Sequence, residues 1–271
     1  FSTDAVPELH VLAATPDGGW RIGAAVPLTA IEDKVAPHYP PLARLIRWFA
    51  ARQVRNRATL GGNLATASPI GDSAPLLLAL EASLVLVSGR GERTVALADF
   101  FTGYRRTALQ PAEIIREIVL PPFTASAGCV RHADFIKVSH RRELDISIVA
   151  AAFVIDVDAS GVVRHARLAY GGVADRPTRA VAAEQALMGR TLEVSTAAVA
   201  AALAGAFKPI SDVRSGADYR RGLVLSLWER FRRGERSEVH DGVIDYAPSA
   251  AWKSDDASRN LRHESAVGHV T

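Results

Sequence analysis

Cysteine is nearly missing from this chain of 271 residues, and Cys129 is its single representative. One thiol excludes an internal disulfide framework, together with any four-cysteine iron–sulfur or zinc site built by this chain alone. A reducing, cytoplasmic setting is the expectation that follows. Long apolar runs are missing too: the longest, residues 148–155, falls far short of the ~20 residues a membrane helix needs. The opening FSTDAVPELH has neither a basic start nor an apolar centre, so it does not read as a signal peptide, and no membrane association is expected. It lacks an initial methionine, and a segment removed upstream is expected. Histidines at metal spacing are absent as well. None of the eight forms an H-x-x-x-H pair or lies at ligand spacing from a second histidine and a carboxylate, so no metal site is expected. His140, in a charged loop, is the best single candidate for acid–base chemistry. Ser68 stands outside any G-x-S-x-G elbow, which removes support for nucleophilic hydrolysis.

Positive charge is present without being massed. The net charge of +3 and pI near 9.2 come from scattered arginines, with one run at Arg230, Arg232 and Arg233. This pattern reads as solvated faces, and no nucleic-acid partner is expected. An apolar share of 48% is ample for one large core or two ordinary ones.

The most distinctive stretch is RNRATLGGNLATASPIGDSAP, residues 55–75. Gly61 and Gly62 lack Cβ atoms, so the chain is expected to take φ > 0 there and present bare peptide N–H groups to a ligand. Thr59, Asn63, Thr66, Ser68 and Asp72 surround them, a donor set suited to a phosphate and a ribose or ribityl chain. Two adjacent glycines also serve as a plain tight connection, so the stretch by itself is a weak signal.

Before this stretch, a short strand is expected over 20–26 and a brief helix capped by Thr29, with Glu32 at capping-box spacing. After Pro40 and Pro41, apolar residues at Leu42, Leu45, Ile46 and Phe49 recur at helical spacing. Beyond the glycines, PLLLALEA (75–82) is apolar enough to require burial, and 83–87 and 93–97 read as a hairpin turned through Gly89 and Gly91. Residues 99–107 look irregular, and 111–120 a helical turn leading into a strand. A small, flexible boundary is expected at 124–128. Strands follow over 132–139, 146–158 and 162–170, then helices over 180–188, 195–207 and 218–231. Strands succeeded by helices predict an α+β layer with a three-stranded antiparallel sheet packed on helices. In the last helix Leu223, Val224, Leu227, Trp228 and Phe231 form an apolar stripe that reads as core. Ser211 and Asp212 read as turn or cap residues. From residue 235 onward no period persists, and the segment reads as a linker. Lys137 lies among Phe135, Ile136 and Val138, so its ammonium group is expected to be partly desolvated.

The stretch WFAARQVRNRATLGGNLATASPIGDSAP resembles the FAD-binding domain of xanthine dehydrogenases, and the likeness continues in order. FFTGYRRTALQPAEIIREIVLPP, FIKVSHRRELDISIVAAAF, LAYGGVADRPTRA and ISDVRSGADYRRGLVLSLWERF are its further blocks. The resemblance implies the second subdomain of a PCMH-type FAD-binding domain over 1–123 and a carbon monoxide dehydrogenase flavoprotein C-terminal-like domain over 129–234. It implies a linker over 235–271 running into a molybdenum-binding portion. It also implies an oxidoreductase of purine catabolism, inactive alone. In that scheme electrons leave a molybdopterin centre, cross two [2Fe–2S] clusters in partner portions, reach FAD in this segment and pass to NAD. A dimer of the whole assembly is implied.

By position, Thr59, Leu60, Gly61, Gly62 and Asn63 match the loop that wraps the flavin. Asp72, Ile115 and Lys137 match further FAD contacts, and Phe49 the aromatic residue near the isoalloxazine ring. Tyr104 and residues 140–145, with Asp145, match the region where the nicotinamide enters. A cationic Lys137 would help to stabilise a reduced, anionic ring. The chain departs from the family pattern in lacking an upstream glycine-rich loop before Pro7, and in carrying Leu144 where animal members have an acidic residue. Open alternatives are another molybdenum hydroxylase acting on an aldehyde, a nicotinate-like heterocycle or carbon monoxide, and an apo docking scaffold without flavin.

Overall fold

The computed structural model describes residues 3–141 and 144–235, which hold together as one compact unit. Apart from Glu235, the expected linker lies outside the described residues. After two short 3-10 turns the chain runs through β1 (Leu12–Ala14) and β2 (Trp20–Gly23), then a helical stretch: α1 (Leu28–Lys34), α2 (Pro40–Trp48), α3 (Arg52–Arg55), α4 (Leu60–Ala65) and α5 (Ser73–Ala79). β3 (Ser83–Ser88) and β4 (Gly91–Ala96) form the hairpin, with Gly91 at φ 124°. α6 (Leu97–Phe100), β5 (Phe101–Gly103) and β6 (Arg106–Thr107) occupy the stretch read as irregular, and β7 (Ile114–Leu120) follows. Then come β8 (Cys129–Val138), β9 (Val149–Asp158), β10 (Val163–Gly171), β11 (Thr178–Arg179), α7 (Val181–Leu187), α8 (Leu192–Ala206) and α9 (Ala217–Arg232).

Among the described residues two larger antiparallel sheets result, ordered β1-β2-β7-β3-β4 and β11-β10-β9-β8, and β5 pairs with β6 alone. The second sheet carries the three expected strands, and the two-residue β11 adds a fourth at its edge. Side chains on successive strand residues point to opposite faces, and β9 uses both. Ala150, Ala152 and Val154 join the core that contains α2 and α5, whereas Ala151, Phe153 and Ile155 join the core under α7, α8 and α9. The alanines on the first face let a helix lie close. All seven residues of α5 are buried, and that helix wedges the first sheet's core against β9 and β10. The expected stripe on α9 lies in the second core, with Trp228 fully buried and Phe231 stacked 4.9 Å from Phe153.

Two local expectations need correction, and a third holds. α1 begins at Leu28 without a side-chain cap, because the Leu28 N–H donates to the Ala58 carbonyl at 2.8 Å and so needs nothing from Thr29. Residues 124–128 are anchored: Ser126 donates to the Asp156 carboxylate from both N and Oγ, each at 2.8 Å. Ser211 and Asp212 do shape the turn before α9, accepting from Ala217 N and from Arg214 and Ser215 N respectively.

Candidate functional site

Helix α4 is the centre of the site. Thr59 is its N-cap, with Oγ1 accepting from the Gly62 N–H at 3.0 Å. The expected left-handed backbone is absent, since neither Gly61 nor Gly62 adopts φ > 0; both lie in the first turn of the helix. Their roles differ. A Cβ on Gly61 would stand 2.5 Å from the Ala24 carbonyl oxygen and 2.6 Å from the Ala24 Cβ, so Gly61 is required by close packing against the end of β2. Gly62 faces outward, and a Cβ there would meet only Thr59 Oγ1 at 3.2 Å. It leaves bare backbone at a surface.

A cleft opens on each side of α4. The first, about 320 Å³, is lined by Ala24, Ala25, Thr59, Gly61, Gly62, Ala65, Leu109, Ile114 and Ile115, among others. Ile115 reaches it through a register shift on β7: Leu86 pairs with Ile115 but Val85 with Glu117, leaving Arg116 bulged, its carbonyl accepting from Ala24 N at 2.8 Å. The second cleft, about 360 Å³, is lined by Phe49, Ala50, Asn63, Ser68, Ile70, Gly71, Asp72, Lys137, Leu144, Asp145, Ile146 and Ser147.

The second cleft has a polar floor. Lys137 Nζ donates to Asp72 Oδ2 at 2.7 Å, to the Asp145 carbonyl at 2.8 Å and to the Trp48 carbonyl at 3.4 Å. These acceptors match the three donors of an ammonium group, and the pair is well buried, with side-chain exposures of 7% and 12%. The other Asp72 oxygen accepts from the Ser147 hydroxyl, and Ser73 donates to Asn63 Oδ1. Asp145 accepts from Arg141 N at 2.8 Å and from Ile146 N at 2.9 Å, and the Arg141 N–H leads in holding its carboxyl below the usual range. Phe49 ends α2, and its carbonyl and that of Ala50 accept from Arg55 Nη1 at 3.2 and 2.8 Å. That bond steadies a turn in which Ala50 has φ 50°.

Two family models match. Residues 2–123 match the FAD binding domain in molybdopterin dehydrogenase, and residues 134–234 the CO dehydrogenase flavoprotein C-terminal domain. Among solved structures, carbon monoxide dehydrogenase from Hydrogenophaga pseudoflava superposes with a TM-score of 0.76 at 32% identity, over 84% of this chain and 77% of that one. The chain belongs to the molybdenum hydroxylase family, as an FAD-binding segment. It is 34% identical to a xanthine dehydrogenase from Blastobotrys adeninivorans over 246 residues, 83% of this chain. A nicotinate hydroxylase from Emericella nidulans is 39% identical over 196 residues, 70% of this chain. The chain spans only 17% and 14% of the length of these two relatives.

For a molybdenum hydroxylase flavoprotein the donor set is apt. Apolar side chains at Phe49, Ile70, Leu144 and Ile146 offer surface for a planar ring, while Asn63, Ser68 and the bare backbone at Gly62 offer polar contacts for a polyol and phosphates. Thr59, Gly61, Gly62 and Ile115 line one cleft, and Phe49, Asn63, Asp72, Lys137 and Asp145 the other. Leu60 is buried beneath them and has only its backbone to offer. Tyr104 lines neither cleft; it is 62% exposed, with the Arg105 guanidinium 5.9 Å from its ring. His140 lines neither, and its Nε2 lies 2.7 Å from the Arg214 carbonyl. Among the described residues no cluster of three His, Cys, Asp or Glu could hold a metal ion.

Several structural contributors carry no functional expectation in the sequence. Ser147 and Ser73 are common residues with no local pattern. Gly171 and Gly172 do have one, since paired glycines at a strand end mark close backbone approach. A Cβ on Gly172 would stand 2.3 Å from the Ile148 carbonyl oxygen, and its N–H donates to the Pro69 carbonyl at 2.8 Å.

Proposed function

We propose that this chain is the FAD-carrying segment of a xanthine dehydrogenase-type enzyme of purine catabolism, passing electrons from [2Fe–2S] clusters to NAD. The observation that supports it best is the pair of clefts flanking α4, which gathers nine of the expected cofactor and nicotinamide residues from separate parts of the chain. Bound FAD would supply the redox chemistry, taking up electrons and delivering them as a hydride. The chain's own residues hold and screen. Thr59–Asn63 grip the cofactor, Phe49 and Ile115 bear on the ring, and Asp145 with Tyr104 marks the nicotinamide approach. Lys137 is balanced by Asp72, so the pair, and not the lysine alone, sets the local field on a reduced ring.

In this reading residues 1–123 and 129–234 act as two domains around the flavin, and 235–271 lead toward the molybdenum-binding portion. The iron–sulfur and molybdenum portions are its partners, in a cytoplasmic, dimeric assembly. Enzyme assembled with those portions is expected to reduce NAD⁺ with xanthine, and this chain alone to show no turnover. Turnover by the chain alone would overturn the electron-transfer role. The 39% identity to a nicotinate hydroxylase supports a second reading, and nicotinate-dependent reduction without xanthine activity would establish it.

A further inference from the structure

We propose that Arg220, on α9, is a positioning residue for the flavin clefts: it anchors Gly172, and through Gly172 it sets where the wall formed by residues 68–72 stands. Arg220 is 2% exposed. Its Nη1 donates to the Gly172 carbonyl at 2.8 Å, and its Nη2 to Asp212 Oδ1 at 2.7 Å. On the far side of the same residue, the Gly172 N–H donates to the Pro69 carbonyl at 2.8 Å. Pro69 lies between Ser68 and Ile70, both lining the 360 Å³ cleft, and Asp72 is three residues on. Gly172 suits this relay because it stands at φ 84° and has no room for a side chain beside Ile148.

The same arginine also bears on the segment that begins at His140. Asp212 Oδ1 also accepts from Arg214 N at 2.9 Å and Ser215 N at 3.1 Å, and the Arg214 carbonyl meets His140 Nε2 at 2.7 Å. Burial pushes the Asp212 carboxyl up, but those N–H groups and the Arg220 guanidinium hold it below the usual carboxylate range. His140 itself lines neither cleft, but its neighbour Arg141 donates its N–H to the Asp145 carboxylate at 2.8 Å, and Asp145 does line the 360 Å³ cleft.

Stability alone is a poor reason for this arrangement. Removing a guanidinium from water is costly, and a buried ion pair is often no better than apolar residues of the same volume. Arg220 Nε is itself buried with no acceptor, a further cost. What an apolar residue would not provide is the fixed fork that aims the Gly172 carbonyl and the Asp212 turn together.

The inference rests on the flavin reading, and its test separates the two. Full chains carrying Arg220→Met, Asp212→Asn or, as a control matched in melting loss, Leu203→Ala in the second core are compared with wild type by amide hydrogen exchange and FAD titration. Arg220→Met is expected to speed exchange at Ile70, Gly71, Asp72 and Gly172 and to weaken FAD binding, each about tenfold, the effect of one lost hydrogen bond to a charged group. Asp212→Asn, milder, should move the same readouts part of the way and carries the test if Arg220→Met does not fold. Leu203→Ala should leave both unchanged. Equal effects in the control, or none in the Arg220 and Asp212 variants, would overturn the proposal. If wild type binds no FAD, the flavin reading fails, and the exchange data still decide whether Arg220 positions this wall.

Discussion

Substituting Lys137 by methionine keeps most of the apolar stem and removes the charge and the donors. The structure shows what is lost: a 2.7 Å ion pair with Asp72 and a 2.8 Å bond to the Asp145 carbonyl, in a pair exposed by only 7% and 12%. Breaking a buried pair from one side typically costs about 3–5 kcal/mol, because the remaining charge is stranded. Asp72 keeps the Ser147 hydroxyl and borders a cleft, so the low end applies, about 3 kcal/mol. For a chain of this size that is a fall of about 6–12 °C in Tm. Asp72→Asn leaves Lys137 with two carbonyl acceptors and should cost less, about 2 kcal/mol. Because both changes remove one interaction, the double variant should cost about 3 kcal/mol and not 5, a coupling of about 2 kcal/mol. Urea denaturation of the four chains measures this, with the slope m constant if the unfolded states are comparable. Single effects that add to within about 0.5 kcal/mol would refute the pairing.

The two glycines of α4 should separate stability from binding. Gly61→Ala places a methyl against Ala24 and should cost about 1–3 kcal/mol, whereas Gly62→Ala should gain up to about 1 kcal/mol of helix propensity while weakening FAD binding; a Gly62→Ala chain with unaltered FAD affinity would remove Gly62 from the site. Glu81 is held from 4.5 down to about 2, first by the His165 hydrogen bond and then by Arg167. A depressed folded-state value gives stability that is complete above pH 4.5 and disappears as pH falls toward 2. At 41% exposure solvent screening keeps this share under about 1 kcal/mol, so Glu81→Gln should lose less stability than wild type between about pH 6 and about pH 3; parallel losses would contradict the assignment.

Much of the architecture follows from local pattern. The apolar run of α5 demands burial and finds it between two sheets, and the apolar run of β9 is a central strand covered on both faces. The glycine stretch stands out by composition, yet its glycines do not take the expected φ > 0, and the reason for Gly61 lies in the backbone at Ala24, a tertiary contact that no local period encodes. The same holds for the cap that α1 does not need, because the Ala58 carbonyl supplies the acceptor from the segment between α3 and α4. Lys137 reads from sequence as a partly desolvated cation. Its partner, 65 positions away, decides that it is neutralised, and periodicity carries no information about pairing across that distance. Ser147 reaches Asp72 across 75 positions and is equally silent. Family resemblance supplies the proposed site residues, and packing shows what each of them touches.

The central claim is that the surfaces on either side of α4 hold a flavin. Titrating FAD into the purified chain and following the visible flavin absorbance tests this most directly. Saturable binding with a perturbed flavin spectrum, weakened by Gly62→Ala, is the predicted result. A spectrum that remains that of free FAD at every protein concentration would contradict it.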